Sequence, residues 1–112
     1  MTKKRVAVLM GGWSAEREVS LDSGRLVSVA LQELGHEVIP IDVNRDLNQL
    51  TAALTLKPDV AFNALHGVGG EDGVVQGLLE IIGIPYTHSG VDSSAIAMNK
   101  VLSRRVFEQE GI

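Results

Sequence analysis

The sequence predicts an α/β domain built on an open, mostly parallel, Rossmann-like sheet. About four strands are expected, in the order 2-1-3-4, with helices on both faces. Three observations predict this. Short apolar runs alternate four times with helical patterns, which is the signature of βα units. The first run, "RVAVLM" at 5–10, is apolar without alternation, as suits a strand buried on both faces. Right-handed crossovers then restrict the order and set strands one and three side by side where the winding reverses.

Each element has its own signal. Arg5 to Leu9 is the first strand, and Gly11 and Gly12 end it. Val19, Leu26, Val27, Ala30, Leu31 and Leu34 have helical spacing, with small Ser23 on the same stripe. Gly35 stops that helix. "EVIPID" is the second strand; Pro40 lacks the donor that a central ladder needs, so this strand belongs at an edge. "LNQLTAALTL" is a short amphipathic helix with Leu47, Leu50, Ala53 and Leu54 on one side. "PDVAFNAL" is the third strand, opened by Pro58. "VVQGLLEIIG" is a helix apolar on most sides that ends at Gly83, and "IPYTHSG" is a fourth short strand and turn. "DSSAIAMNK" and "VLSRRVFEQEG" are two further helical patterns. No internal repeat and no low-complexity segment interrupts the chain.

The 112 residues fit one domain with a single modest core, here expected to span 1–112. The net charge of −4 argues against general affinity for nucleic acid or an anionic membrane. There is no cysteine, which excludes disulfides, thiolate metal sites and cysteine nucleophiles. No apolar stretch is long enough to cross a membrane. "VAVLM" is too short for a signal-peptide core. A cytoplasmic location is the default expectation.

Two loops leave the carboxyl ends of strands one and three, "GGWSAE" and "HGVGGEDG". They hold six of the twelve glycines, together with Glu16, His66, Glu71 and Asp72. Glycine at these strand ends is what a close approach of backbone to a ligand requires. Neither loop is the dinucleotide fingerprint GxGxxG, and no GK[ST] is present, so there is no P-loop.

Each candidate has two readings. Ser14 or Ser20 would cap the first helix. Glu16 is either a partner of the helix dipole, paired with Arg17 or Arg25, or an anion held ionised for a ligand cation. His66 is either structural or a donor and proton shuttle beside a ligand. Asp72 reads as the cap of the third helix more readily than as a metal ligand. Lys100 is either solvated or a phosphate ligand.

Taken together, "VAVLMGGWSAEREVSLDSG" at 6–24, "ALHGVGGEDGVVQGLLEIIGIPYTHSGV" at 64–91 and "SAIAMNK" at 94–100 resemble the N-terminal domain of the D-alanine–D-alanine ligases. The resemblance covers nearly the whole chain. It implies a pre-ATP-grasp fold, and an enzyme that joins two D-alanines for peptidoglycan synthesis through an acyl-phosphate intermediate. ATP and Mg2+ (or Mn2+) are implied, bound mainly by central and C-terminal domains beyond this chain. A homodimer is implied as well. By the resemblance, Glu16 lies near the ammonium of the first D-alanine and Val19 lines the same pocket. His66 orients or activates the substrate, and Lys100 faces the nucleotide phosphates. No metal ligand is expected in this chain.

Three positions depart from the family pattern: Trp13 for a threonine or serine, Asn99 for an aspartate, and His88 for a glycine. Trp13 is expected to reshape the loop or cover the pocket. The chain stops at "EQEGI", where the family continues, so by itself it is expected to be inactive. The alternatives are a D-alanine–D-lactate type ligase, a non-enzymatic amino-acid-binding module and a dimerising structural domain.

Overall fold

The structure, a computed structural model, describes residues 3–45, 47–66, 73–87 and 100–112. Strand β1 (Arg5–Gly11) is followed by helix α1 (Arg17–Glu33), β2 (Glu37–Val43), α2 (Leu47–Leu54), β3 (Val60–Asn63), α3 (Val74–Ile82) and α4 (Lys100–Gln109). The glycine-rich stretch 67–72, including Glu71 and Asp72, lies outside the described residues, as do His88, Asn99 and the Lys100 side chain.

The three strands form one parallel sheet in the order β2-β1-β3. β1 pairs with β2 from Arg5–Glu37 to Gly11–Val43, and with β3 from Val6–Val60 to Leu9–Asn63. β2 is an edge strand, as Pro40 demands. The expected fourth strand takes its place beside β3, but only as a single parallel bridge between Ala61 and Tyr86. The Ala61 N–H donates to the Pro85 carbonyl at 2.9 Å, and the Thr87 N–H donates to the Ala61 carbonyl at 3.0 Å. The next ladder bond would use the Asn63 N–H, but the Thr87 hydroxyl takes it at 2.9 Å. That side-chain bond replaces the next ladder bond.

Alternate residues of β1 face opposite ways, so the sheet has two cores. Val6, Val8 and Met10 pack with Val27 and Leu31 of α1 and its C-cap Leu34, with Phe62, and with Phe107 and Ile112 from the α4 end. Phe62 and Phe107 meet edge to face, with centroids 5.8 Å apart and planes at 84°. Ala7 and Leu9 pack on the other face with Leu50 and Leu54 of α2 and Val75 and Leu79 of α3. Helices on both faces follow directly from a central strand that is apolar on both sides.

The buried face of α1 differs from the expected stripe. Val19 and Leu26 are 58% and 47% exposed, while Ser20, Gly24, Val27 and Leu31 are buried. Met10 is the reason. A Cβ on Gly24 would lie 2.5 Å from the Met10 Cβ and 2.8 Å from its Sδ. Only small residues let this half of the helix settle on β1. Helix α3 is likewise less buried than its composition suggests. Val75 and Leu79 enter the core, but Ile81 is 85% exposed.

Helix α1 ends in a Schellman turn. The Gly35 N–H donates to the Gln32 carbonyl at 3.0 Å and the His36 N–H to the Leu31 carbonyl at 3.0 Å. Gly35 has φ 93°, which a glycine adopts without the steric cost of a Cβ. The turn drives His36 inward, where it is buried. There its Nδ1 accepts the Lys4 N–H at 3.1 Å. An accepting Nδ1 carries no proton, so this contact needs the neutral ring.

Two outcomes follow from this packing. Gly24→Ala is expected to lower stability by about 1–3 kcal/mol, the usual range for overpacking, because the Met10 Cβ is fixed to β1 and cannot swing aside; denaturant unfolding measures it. The second concerns pH. Burial, aided by the Lys4 charge, holds the His36 pKa below the ordinary value of 6.5. As pH falls through that value, the unfolded chain takes up a proton that the folded chain refuses. Stability should therefore be full above about pH 6.5 and decline on acidification below it. His36→Asn, which keeps an acceptor but cannot titrate, should flatten that part of the stability–pH curve.

Candidate functional site at the sheet switch point

The odd-numbered residues of β1 direct their backbone groups at β3, and the last regular bond runs from the Ala64 N–H to the Leu9 carbonyl at 2.9 Å. In a parallel ladder the next bond would join the Gly11 N–H to the Ala64 carbonyl. Instead, the Ser20 hydroxyl is inserted between them. It accepts from the Gly11 N–H at 2.9 Å and donates to the Ala64 carbonyl at 2.7 Å. The two strands part at this point. This is where open α/β sheets bind ligands.

On its other side, β1 stays attached to β2. The Gly12 N–H donates to the Val43 carbonyl at 2.7 Å. Arg17 reaches back from α1 and donates to the Gly12 carbonyl at 3.0 Å. Its guanidinium also grips both Asp42 carboxylate oxygens at 2.8 and 2.7 Å. That hydrogen bonding raises the Arg17 pKa above its already high value. Gly11 has φ 92°, and a Cβ there would lie 2.5 Å from Asp42 Oδ1 and 2.6 Å from the Arg17 guanidinium. The glycine is needed both for the turn and for the space this ion pair fills.

Ser14 links the two loops further out. Its hydroxyl donates to the His66 carbonyl at 2.9 Å and accepts the Glu16 N–H at 3.1 Å. Neither Ser14 nor Ser20 caps α1, contrary to expectation. The N-cap is Glu16 itself, with φ −94°, ψ 14° and no side-chain capping bond. Its carboxylate is therefore not hydrogen-bonded to the helix N-terminus. Nor does it pair with Arg17 or Arg25, because Arg25 is taken by Asp22 at 2.7 Å and Arg17 by Asp42. The N-cap of α3 is Gly73 rather than Asp72, again without a side-chain bond.

The candidate residues thus fall into two groups. Glu16 is exposed at the start of α1, and Val19 lies one turn further along the same helix, also exposed. His66 is half-buried just beyond β3. Ser14 holds the backbones of Glu16 and His66 to one hydroxyl. Trp13 packs against the core on the α2 and α3 side. Lys100 begins α4, which rests against α1. Among the described residues, no three His, Asp or Glu side chains gather as a metal site, and no helix is long and apolar enough to cross a membrane.

Sequence reasoning missed the roles of Ser20, Arg17 and Asp42. A signal existed for Ser20: it falls four residues before Gly24 and seven before Val27, on the buried face. Arg17 carried no such signal, because its partner Asp42 is 25 residues away.

The geometry defines a class: an open parallel α/β domain whose neighbouring strands β1 and β3 part at the switch point, with the Ser14 hydroxyl joining the backbones of Glu16 and His66 beyond the gap. Comparison with known proteins narrows it. Residues 47–89 match the family model described as D-ala D-ala ligase N-terminus. A D-alanine–D-alanine ligase from Acidiphilium cryptum is 57% identical over 109 residues, covering 97% of this chain and 36% of the relative. One from a Chelativorans species is 58% identical over 112 residues, covering 100% and 36%. Among solved structures, the D-alanine–D-alanine ligase from Bacillus anthracis complexed with ATP superposes with a TM-score of 0.65 at 40% identity, covering 97% of this chain and 38% of that one. The chain is related along its length to the N-terminal part of the D-alanine–D-alanine ligases, and it spans about a third of the length of the curated relatives it matches.

The Ser20 bridge makes a direct prediction. Ser20→Ala leaves the buried Gly11 N–H and Ala64 carbonyl facing each other without the inserted hydroxyl. The expected loss is about 1–3 kcal/mol for each group left unsatisfied, read as a lower urea midpoint. Hydrogen exchange at the Gly11 amide should accelerate in the same variant.

Proposed function

We propose that this chain forms the substrate-side wall of an ATP-dependent ligase that joins two D-alanines through an acyl phosphate, in peptidoglycan synthesis. The observation that carries the proposal is the parting of β1 and β3, beyond which the Ser14 hydroxyl ties the backbones of Glu16 and His66 together. Glu16 is exposed there and His66 half-buried. A zwitterionic amino acid needs an anion for its ammonium and a donor for its carboxylate. Glu16 supplies the first and His66 the second, with Val19 lining the Glu16 side. The identity to D-alanine–D-alanine ligases along the chain supports D-alanine as the amino acid.

In this reading Glu16 binds the ammonium of the first D-alanine, and His66 orients its reacting carboxylate. Lys100 serves the nucleotide-phosphate side from the start of α4. ATP is the phosphoryl donor, with Mg2+ or Mn2+ as its partner. The described residues include no metal cluster, so no step within this chain is assigned to the metal. The nucleotide, the metal and the second D-alanine belong mainly to the remaining two thirds of such a ligase, and the chain alone is expected to be inactive. A homodimer and a cytoplasmic location complete the reading, by analogy with the family.

Glu16→Gln in a full-length ligase carrying this domain tests the central assignment. Removing a charged hydrogen-bond partner is worth about 1.5–3 kcal/mol, or about 10- to 100-fold. The Michaelis constant for the first D-alanine should rise by that factor. An unchanged Michaelis constant together with unchanged turnover removes Glu16 from the site.

A further inference from the structure

We infer that Ser14 is a positioning residue that sets the spacing between Glu16 and His66. Its hydroxyl donates to the His66 carbonyl at 2.9 Å and accepts from the Glu16 N–H at 3.1 Å. The direction of both bonds is fixed by chemistry, because a carbonyl only accepts and a backbone N–H only donates. One hydroxyl therefore joins residues 52 positions apart in the chain with its single proton, and uses a lone pair for its near neighbour.

The surroundings give this bridge leverage. The loop is fixed on the β2 side by the Gly12 N–H bond to Val43 and by Arg17, which holds the Gly12 carbonyl and Asp42. It is fixed at its far end where α1 begins, with the Arg17 N–H bonded to the Ser14 carbonyl at 3.2 Å. The segment beyond β3 is anchored at Leu65, whose N–H donates to Asn63 Oδ1 at 3.0 Å. His66 is the next residue. The Ser14 hydroxyl is the strut between these two anchored segments. Ser14 itself touches no substrate in this scheme. It acts through the backbones that carry the carboxylate and the imidazole, and the inference rests on the reading of the crevice as the D-alanine site.

The experiment is a kinetic cycle in a full-length ligase carrying this domain, with D-alanine as the varied substrate. Ser14→Ala should raise the Michaelis constant for the first D-alanine by about 3- to 10-fold, the weight of a lost neutral hydrogen bond. Ser14→Thr, which keeps the hydroxyl, should restore most of it. In a Glu16→Gln background, Ser14→Ala should change it less than about twofold, because residues that act as a unit do not add. A purely structural loss would instead give the same factor in both backgrounds.

Full additivity, or a Michaelis constant unchanged by Ser14→Ala while Glu16→Gln is impaired, overturns the role of Ser14 and leaves the D-alanine site standing. A Glu16→Gln enzyme with unchanged kinetics overturns the site, and this inference with it. Should Ser14→Ala fail to fold, Ser14→Cys keeps the size and weakens both bonds. It should raise the constant by a smaller factor, and an unaltered constant there counts against the role.

Discussion

The Gly11 N–H and the Ala64 carbonyl are the pair that the ladder between β1 and β3 would join next, and the Ser20 hydroxyl stands between them. Much of the molecule follows from this insertion. A hydroxyl can reach that position only if α1 lies close against the sheet, and α1 lies close only because Gly24 has no side chain to meet Met10. A direct backbone bond at this level would have carried β1 and β3 forward as paired strands.

Parting two strands exposes backbone groups in a region with little water, and an unpaired buried amide or carbonyl is costly. A serine or threonine hydroxyl suits such a place because it both donates and accepts in the volume of a few atoms. The same device recurs around the C-terminal end of β3. Thr87 takes the Asn63 N–H where pairing with the fourth segment stops, Ser20 fills the gap towards β1, and Ser14 spans the loops above it. On both sides of β3 a side-chain hydroxyl thus stands where a ladder bond would otherwise form.

Much of the architecture was legible because it depends on patterns that a linear reading can detect. The uninterrupted apolar run of β1 implied a central strand, Pro40 implied an edge, and the alternation of elements implied the order β2-β1-β3 with a fourth segment beyond. The failures share a cause. Val19 and Leu26 looked buried because they are apolar and correctly spaced, while Ser20 and Gly24, which occupy the buried face, look like surface or turn residues. Their burial is dictated by Met10 on another element, and no periodicity within α1 reports it. The parting of β1 and β3 fell where glycines cluster at two strand ends. The bonding there was not legible, because Ser14 to His66 and Ser20 to Ala64 span 52 and 44 residues.

The electrostatics of the loop show why such long-range partners matter. In "SAEREVS", Glu16 sits beside Arg17, and a local reading pairs them. The fold separates the two charges. Asp42, at the end of the edge strand, takes the guanidinium in a two-point contact, and the same guanidinium pins the Gly12 carbonyl. Arg25 is satisfied by Asp22 on the same helix. Both cations nearby in sequence are thereby neutralised by carboxylates other than Glu16, and the helix makes no capping bond to it. A carboxylate meant to meet a ligand ammonium must not already be neutralised by its own chain, because the ligand would then have to displace a partner of equal charge. The Arg17–Asp42 contact shapes the turn, and by occupying the neighbouring guanidinium it also keeps that charge away from Glu16.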